Sequence, residues 1–160
     1  LLGMKNVKNR GISSDVIQGF IDRVDPIVEG QPAKVFILGG VNDISHDLTP
    51  DSLCTSMEKL IVKIKQGSPR TKIYLQSLLP IDNSFGRYRK MVGKEQVIVE
   101  TNRLYKEMAE RHGVTWIDLY SKMVDPATGS MRKGLTNDGL HLLGAGYLVW
   151  RDAVLPYVKK

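Results

Sequence analysis

Three short clusters in this sequence hold residue types that can move a proton or hold a negatively charged oxygen. Asp138-Gly139-Leu140-His141 sets a carboxylate three positions before an imidazole. At that spacing the aspartate can hydrogen-bond Nδ1, fixing the tautomer and stabilising the imidazolium, while Nε2 points outward as a general base. Gly40-Val41-Asn42-Asp43 pairs a glycine, which lets backbone approach a ligand closely, with an asparagine amide, a good neutral donor to an oxyanion. Gly11, in Asn9-Arg10-Gly11, can offer its backbone N–H to the same oxygen. Each cluster also has a bland reading. Asp-x-x-His recurs by chance and a lone histidine is more often structural, Gly, Asn and Asp are turn formers, and Gly11 can simply permit a bend.

The elements that must position these clusters follow from apolar periodicity. Short runs rich in β-branched and aromatic residues predict strands at Lys34–Leu38, Lys72–Ser77 and Val114–Ile117, with a weaker one at Lys5–Asn9. Leu53, Met57, Leu60, Ile61 and Ile64 recur at helical spacing and predict a helix over Asp51–Gln66. Pro50 and Asp51 suit its start, and Gly67-Ser68-Pro69 its stop. Further helices are expected at Lys94–His112, ended by Gly113, at Asp15–Val24 and at Gly144–Val158. Alternating strands and helices argue for a parallel sheet covered by helices on both faces. In such sheets, sites form beyond the carboxyl ends of the strands. The Gly11, Gly40 and Asp138 clusters all fall just after strands or ahead of a helix. The irregular stretch Pro80–Gly93 is longer than an ordinary loop and is expected to form an active-site rim or lid.

Taken together, the clusters resemble the SGNH/GDSL ester hydrolases, a family named for its Ser, Gly, Asn and His. Asn9-Arg10-Gly11 resembles the second block, Gly40-Val41-Asn42-Asp43 the third, and Asp138-Gly139-Leu140-His141 the fifth. Ser77-Leu78-Leu79-Pro80 also resembles a stretch common in these enzymes. The resemblance implies a three-layer α/β/α fold with a flavodoxin-like, mostly parallel sheet of order 2-1-3-4-5, and one such domain over residues 1–160. It implies a carboxylic ester hydrolase in which His141 is the base, Asp138 orients it, and Gly11 and Asn42 hold the oxyanion. No metal or organic cofactor is implied. The family includes lipases, lysophospholipases, thioesterases and carbohydrate acetylesterases. The sequence shows no long greasy acyl channel, so short acyl esters, acetyl groups on sugars among them, are the expected small-molecule substrates.

The departure from the pattern concerns the nucleophile. The family's first block, Gly-Asp-Ser or Gly-Asn-Ser after an initial strand, belongs upstream of Asn9, yet Leu1 to Lys8 contain no serine. Without a triad member only modest catalysis remains, so the chain as given is expected to be nearly inactive. Substitutes are poor. Ser13 and Ser14 are small residues normal beside Gly11, Ser45 reads as a turn or cap residue, and Cys54 falls in a helix as a small buried hydrophobe. His46 and His112 lack a partner pattern. The start at Leu1 without methionine leads us to expect a processed, trimmed or truncated N-terminus. The absent first strand is central in the family's sheet. The Lys5–Asn9 strand shifting inward to pair with Lys34–Leu38, a partner chain filling the gap, or a fragment whose exposed edge favours homo-oligomers are the three expected outcomes, the last preferred.

Composition sets the outer bounds. With 160 residues, 42% hydrophobic and 25% charged, the chain can bury a proper core. A single cysteine, Cys54, excludes an intramolecular disulfide and a cysteine-cluster metal site. The net charge of +6 is spread along helices without a nucleic-acid motif, so no nucleic-acid partner is expected. The densest cluster, Arg87, Arg89, Lys90 and Lys94, is either a solvated face or an attractor of anionic substrates. No run approaches the ~18 apolar residues of a membrane span. The compartment stays open, the periplasm and secretion included. Rival readings are a non-catalytic ester- or glycan-binding pseudo-hydrolase, and a structural α/β domain in which Asp138 and His141 only staple a loop. A flavodoxin or receiver-like domain would show a phosphate-cradling loop or an acidic cluster, and neither is present.

Overall fold

The computed structural model describes residues 2–159. Three strands, β1 (Lys34–Ile37), β2 (Lys72–Gln76) and β3 (Thr115–Ile117), form a parallel sheet in the order β1-β2-β3. Lys34 lies opposite Lys72, and Tyr74 opposite Thr115. Among the described residues seven α-helices surround them: α1 (Ile17–Asp22), α2 (Asp25–Glu29), α3 (Val41–Ser45), α4 (Pro50–Gly67), α5 (Glu95–Arg111), α6 (Tyr120–Met123) and α7 (Gly144–Lys159). Parallel strands need long crossovers, and α4 and α5 supply them.

The strands alternate between two helical layers, as their period of two requires. Val35, Ile37, Ile73, Leu75 and Trp116 join the cluster under α1, α2, α4 and α5. Phe36, Tyr74 and Ile117 face the opposite way, against Ala153, Val154 and Tyr157 of α7. Phe36 and Tyr74 stack with ring centroids 4.5 Å apart. On the same face Trp150 of α7 donates its indole N–H to Gln76 at 2.8 Å, which satisfies a buried amide. The α/β/α layering expected from the sequence is therefore present.

Helix α4 starts where its residues dictate. Thr49 accepts the Ser52 N–H at 3.3 Å and Pro50 occupies the first turn, where no donor is lost. Its stripe of Leu53, Met57, Leu60, Ile61 and Ile64 is wholly buried. Each such side chain stabilises the fold by roughly 1.5–3 kcal/mol. Gly113, with φ +60°, ends the region of α5 as expected.

The segment Lys5–Asn9 is a correction. It is not a strand but an exposed turn and coil that pairs with nothing in the sheet. Val7 is its one apolar residue, so neither face can be buried to offset the cost of ordering it. The far edge of β1 has no strand beside it among the described residues. No helix among them is long and apolar enough to cross a membrane.

Candidate active site

The Asp138 cluster forms a tight loop between β3 and α7, closed by a bridge between Thr136 and Leu142. Thr136 Oγ1 accepts the Gly139 N–H at 3.0 Å and donates to Asp138 Oδ1 at 3.2 Å. Asp138 Oδ1 also accepts the backbone N–H groups of Leu140 and His141, at 2.9 and 2.8 Å. The second oxygen, Oδ2, meets His141 Nδ1 at 2.8 Å. This is the geometry that the Asp-x-x-His spacing predicts. The Asp138 side chain is 12% exposed and that of His141 68%, so the carboxylate is anchored and the imidazole is presented to solvent.

Partial burial pushes the Asp138 carboxyl up, but the opposing groups win. The His141 and Leu140 amides, the imidazole and the Tyr88 hydroxyl hold it well below the usual carboxylate range. An ionised Asp138 accepts only, so it places the proton of neutral His141 on Nδ1 and leaves the lone pair on Nε2.

Tyr88 is a site residue that the motifs did not indicate. Its hydroxyl lies 3.0 Å from Asp138 Oδ2 and 3.1 Å from His141 Nδ1. Burial first, then the hydrogen bond to Asp138, raises its phenol above the ordinary value. Its only sequence signal was its place in Pro80–Gly93, a stretch too long for a plain loop. That stretch is ordered by its own contacts. Asn83 donates to the Met91 carbonyl at 3.1 Å and to Glu95 of α5 at 2.6 Å. Asp82 donates its N–H to the Gly139 carbonyl at 2.8 Å, tying the rim to the Asp138 loop. Ile81, Asp82, Arg87, Tyr88, Asp138 and Leu140 line a narrow crevice beside the pair.

The Asn42 cluster sits at the end of β1, as expected. Gly40 has φ +126°, and a Cβ there would lie 2.9 Å from the Tyr105 hydroxyl and 3.0 Å from Leu53. Only glycine fits, and the chain turns at once into α3. Asn42 Nδ2 donates to the Asp15 carbonyl at 2.8 Å. A carboxamide has two N–H donors, so this bond orients the group and leaves the second N–H for another acceptor. Its neighbour Asp43 is buried and accepts the Ile17 N–H with both oxygens, at 3.3 and 3.2 Å, capping α1. Burial pushes the Asp43 carboxyl up despite that bond. Helix α3 packs on the Arg89–Met91 turn that follows Tyr88. Lys94 extends this link by pairing with Asp47 at 2.6 Å.

Gly11 is placed differently. It is exposed, and its N–H donates to Asn9 Oδ1 at 2.8 Å. No hydrogen bond joins it to Asp138, His141 or Asn42 among the described residues. Two hydroxyls are committed to backbone, that of Ser45, one of the substitute nucleophiles, and that of Ser77. Ser45 Oγ donates to the Asn42 carbonyl at 2.7 Å, and Ser77 Oγ accepts the Leu119 and Tyr120 N–H groups at 2.9 and 2.8 Å. Cys54 is half-buried against the core, and burial raises its thiol. His112 has a partner after all, with Nε2 2.5 Å from Glu58 Oε1.

A family model, the GDSL-like lipase/acylhydrolase family, matches residues 1–149. No curated protein matches the chain. Solved structures do. A Streptococcus pneumonia protein provisionally described as a platelet activating factor is 28% identical, with a TM-score of 0.85 over 94% of this chain and 72% of that one. A GDSL-like lipase from Bacteroides thetaiotaomicron is 23% identical, TM-score 0.84, covering 94% of this chain and 74% of that one. A mutant of Axe2, an acetyl-xylooligosaccharide esterase from Geobacillus Stearmophilus, is 19% identical, TM-score 0.73, covering 95% and 71%.

Proposed function

The chain belongs to the GDSL-like lipase/acylhydrolase family, and on that footing we propose that it carries the acid–base and oxyanion half of a serine ester hydrolase. The observation that carries the reading is the Asp138–His141 pair, anchored at 2.8 Å with its imidazole open to solvent. In this reading the serine lies outside the 160 residues. His141 Nε2 takes the serine proton, and the alkoxide attacks the ester carbonyl. The free N–H of Asn42 and the Gly11 N–H stabilise the oxyanion. His141 then returns the proton to the leaving alcohol and activates water to release the acid.

The finer reading is a short acyl group, an acetyl ester on a carbohydrate foremost. The crevice beside His141 is narrow and includes Asp82, Arg87 and Asp138, which suits a polar alcohol better than a long alkyl chain. A structural neighbour is an acetyl-xylooligosaccharide esterase. The unpaired edge of β1 supports self-association of the chain in isolation. One observation favours a second reading, a domain that binds esters or glycans without cleaving them. The Gly11 N–H is already taken by Asn9, so hydrolysis requires it to change partner.

Intact mass after incubation with a fluorophosphonate tests the assignment. The 160-residue chain should remain unlabelled, whereas the chain extended upstream through a Gly-Asp-Ser or Gly-Asn-Ser block should gain one adduct that His141→Ala abolishes. A stoichiometric, His141-dependent adduct on the 160 residues alone would place the nucleophile among them. An extended chain that binds acetylated sugars but takes no label would favour the binding domain.

A further inference from the structure

We propose that Tyr88 is a positioning residue, which shares the Asp138 oxygen that holds His141 Nδ1–H and so sets the strength of that hydrogen bond. The proposal rests on reading His141 as the base. Asp138 Oδ2, Tyr88 Oη and His141 Nδ1 form a triangle with edges of 3.0, 3.1 and 2.8 Å. The phenol has one proton and the neutral imidazole has one. Two proton arrangements compete. If Tyr88 donated to Nδ1, the imidazole proton would sit on Nε2 and the outward nitrogen could not act as a base. If Tyr88 donates to Oδ2, Nδ1–H can do so as well, and Nε2 keeps its lone pair. An ionised carboxylate is the stronger acceptor, so the second arrangement holds.

That arrangement has a consequence for charge. The Tyr88 proton draws electron density from Oδ2, the same atom that stabilises the imidazolium. Tyr88 therefore weakens the hydrogen bond by which Asp138 holds the His141 Nδ1–H. The ring does a second job. It meets the imidazole edge-on, with centroids 5.7 Å apart at 62°, and is the one aromatic partner of His141 among the described residues. Arg87 and Asp82 are the other charged groups at this crevice, and neither forms an ion pair with Asp138 or His141. Because Asn83, Met91 and Glu95 order the rim, Tyr88 is delivered from a fixed segment 53 positions away from His141.

The ring N–H and nitrogen resonances of the three histidines in the 160-residue chain test this, with His46 and His112 as internal controls and His141→Ala giving the assignment. Tyr88→Phe should move the His141 Nδ1–H proton resonance downfield, since the shared oxygen is then left to the imidazole alone, with Nδ1 still the protonated nitrogen. In the Asp138→Asn background the same change should have no further effect, because the shared acceptor is gone. An unmoved or upfield-shifted His141 Nδ1–H resonance, with or without a drop in melting temperature, overturns the proposal. So does an equal shift in both backgrounds. Neither serine nor substrate enters the measurement. A null result removes Tyr88's role and leaves ester hydrolysis to be decided by fluorophosphonate labelling.

Discussion

Asp82 and Gly139 touch backbone to backbone: the Asp82 N–H donates to the Gly139 carbonyl at 2.8 Å, and a Cβ on Gly139 would lie 2.1 Å from the Asp82 carbonyl oxygen. Gly139 also has φ +89°, a conformation that L side chains rarely adopt. The glycine inside Asp138-Gly139-Leu140-His141 is thus required twice. It turns the loop so that Asp138 Oδ1 can reach its three donors, and it lets the rim carrying Tyr88 dock on that loop.

Gly139→Ala should accordingly break the docking as well as strain the backbone. The left-handed conformation alone costs about 1–2 kcal/mol, and the displaced Asp82 peptide adds to it. Thermal unfolding followed by circular dichroism should show a fall of at least ~4 °C, given ~2–4 °C per kcal/mol for a chain of this size. The fluorescence or NMR signature of Tyr88 should change with it. An unchanged melting temperature would mean that the rim can rearrange around a Cβ, and that docking does not depend on this contact.

The reach of the sequence can be judged from these same residues. Asp138 and His141 are three positions apart, so local spacing alone predicted their hydrogen bond. Helices α4 and α5 were legible to within a residue or two because their buried stripes, such as Leu53, Met57, Leu60 and Ile64, repeat at helical period. Tyr88 was not legible, since it joins Asp138 across 50 positions from an aperiodic segment. Lys5–Asn9 was misjudged as a strand because alternation was inferred from a single valine, where pairing needs a partner edge and a buried face. Gly11 and Asn42 could be matched to motifs, but their actual acceptors are set by a local turn at Asn9 and by a contact across 27 positions to Asp15, which no spacing rule specifies.

Asn102 illustrates the same limit and yields a prediction. Its side chain clamps one peptide group, accepting the Leu78 N–H at 2.7 Å and donating to the Leu78 carbonyl at 3.1 Å. Leu78 lies two residues past the end of β2, so the clamp fixes the path of Ser77-Leu78-Leu79-Pro80 into the rim. Asn102→Ala removes both partners of a peptide beside the core. Leaving each buried group unsatisfied costs ~1–3 kcal/mol, so urea unfolding should show a loss of roughly 2–5 kcal/mol. Asn102→Asp keeps the acceptor and sets a carboxylate against a carbonyl, and should be no better than alanine. A loss below ~1 kcal/mol for both would mean that water replaces the side chain.

The carboxylate of Asp138 makes stability depend on pH in a defined direction. Its folded value lies below the ordinary 3.8, because the amides of His141 and Leu140, the imidazole and the Tyr88 hydroxyl together outweigh partial burial. Between the two values the unfolded chain binds more protons, so stability there rises with pH. The contribution is fully present above the unfolded value and is lost as pH falls through the folded one. Asp138→Asn carries no titrating group and cannot show this dependence. Urea midpoints should therefore favour the parent chain by roughly 1–2 kcal/mol near neutral pH. The gap should narrow as the pH falls below the ordinary carboxylate value and shrink further in stronger acid. A difference that persists unchanged into acid would show that shape and hydrogen-bond count, rather than charge, make Asp138 the anchor of the loop. His141 would then lack the ionised acceptor that holds its proton on Nδ1.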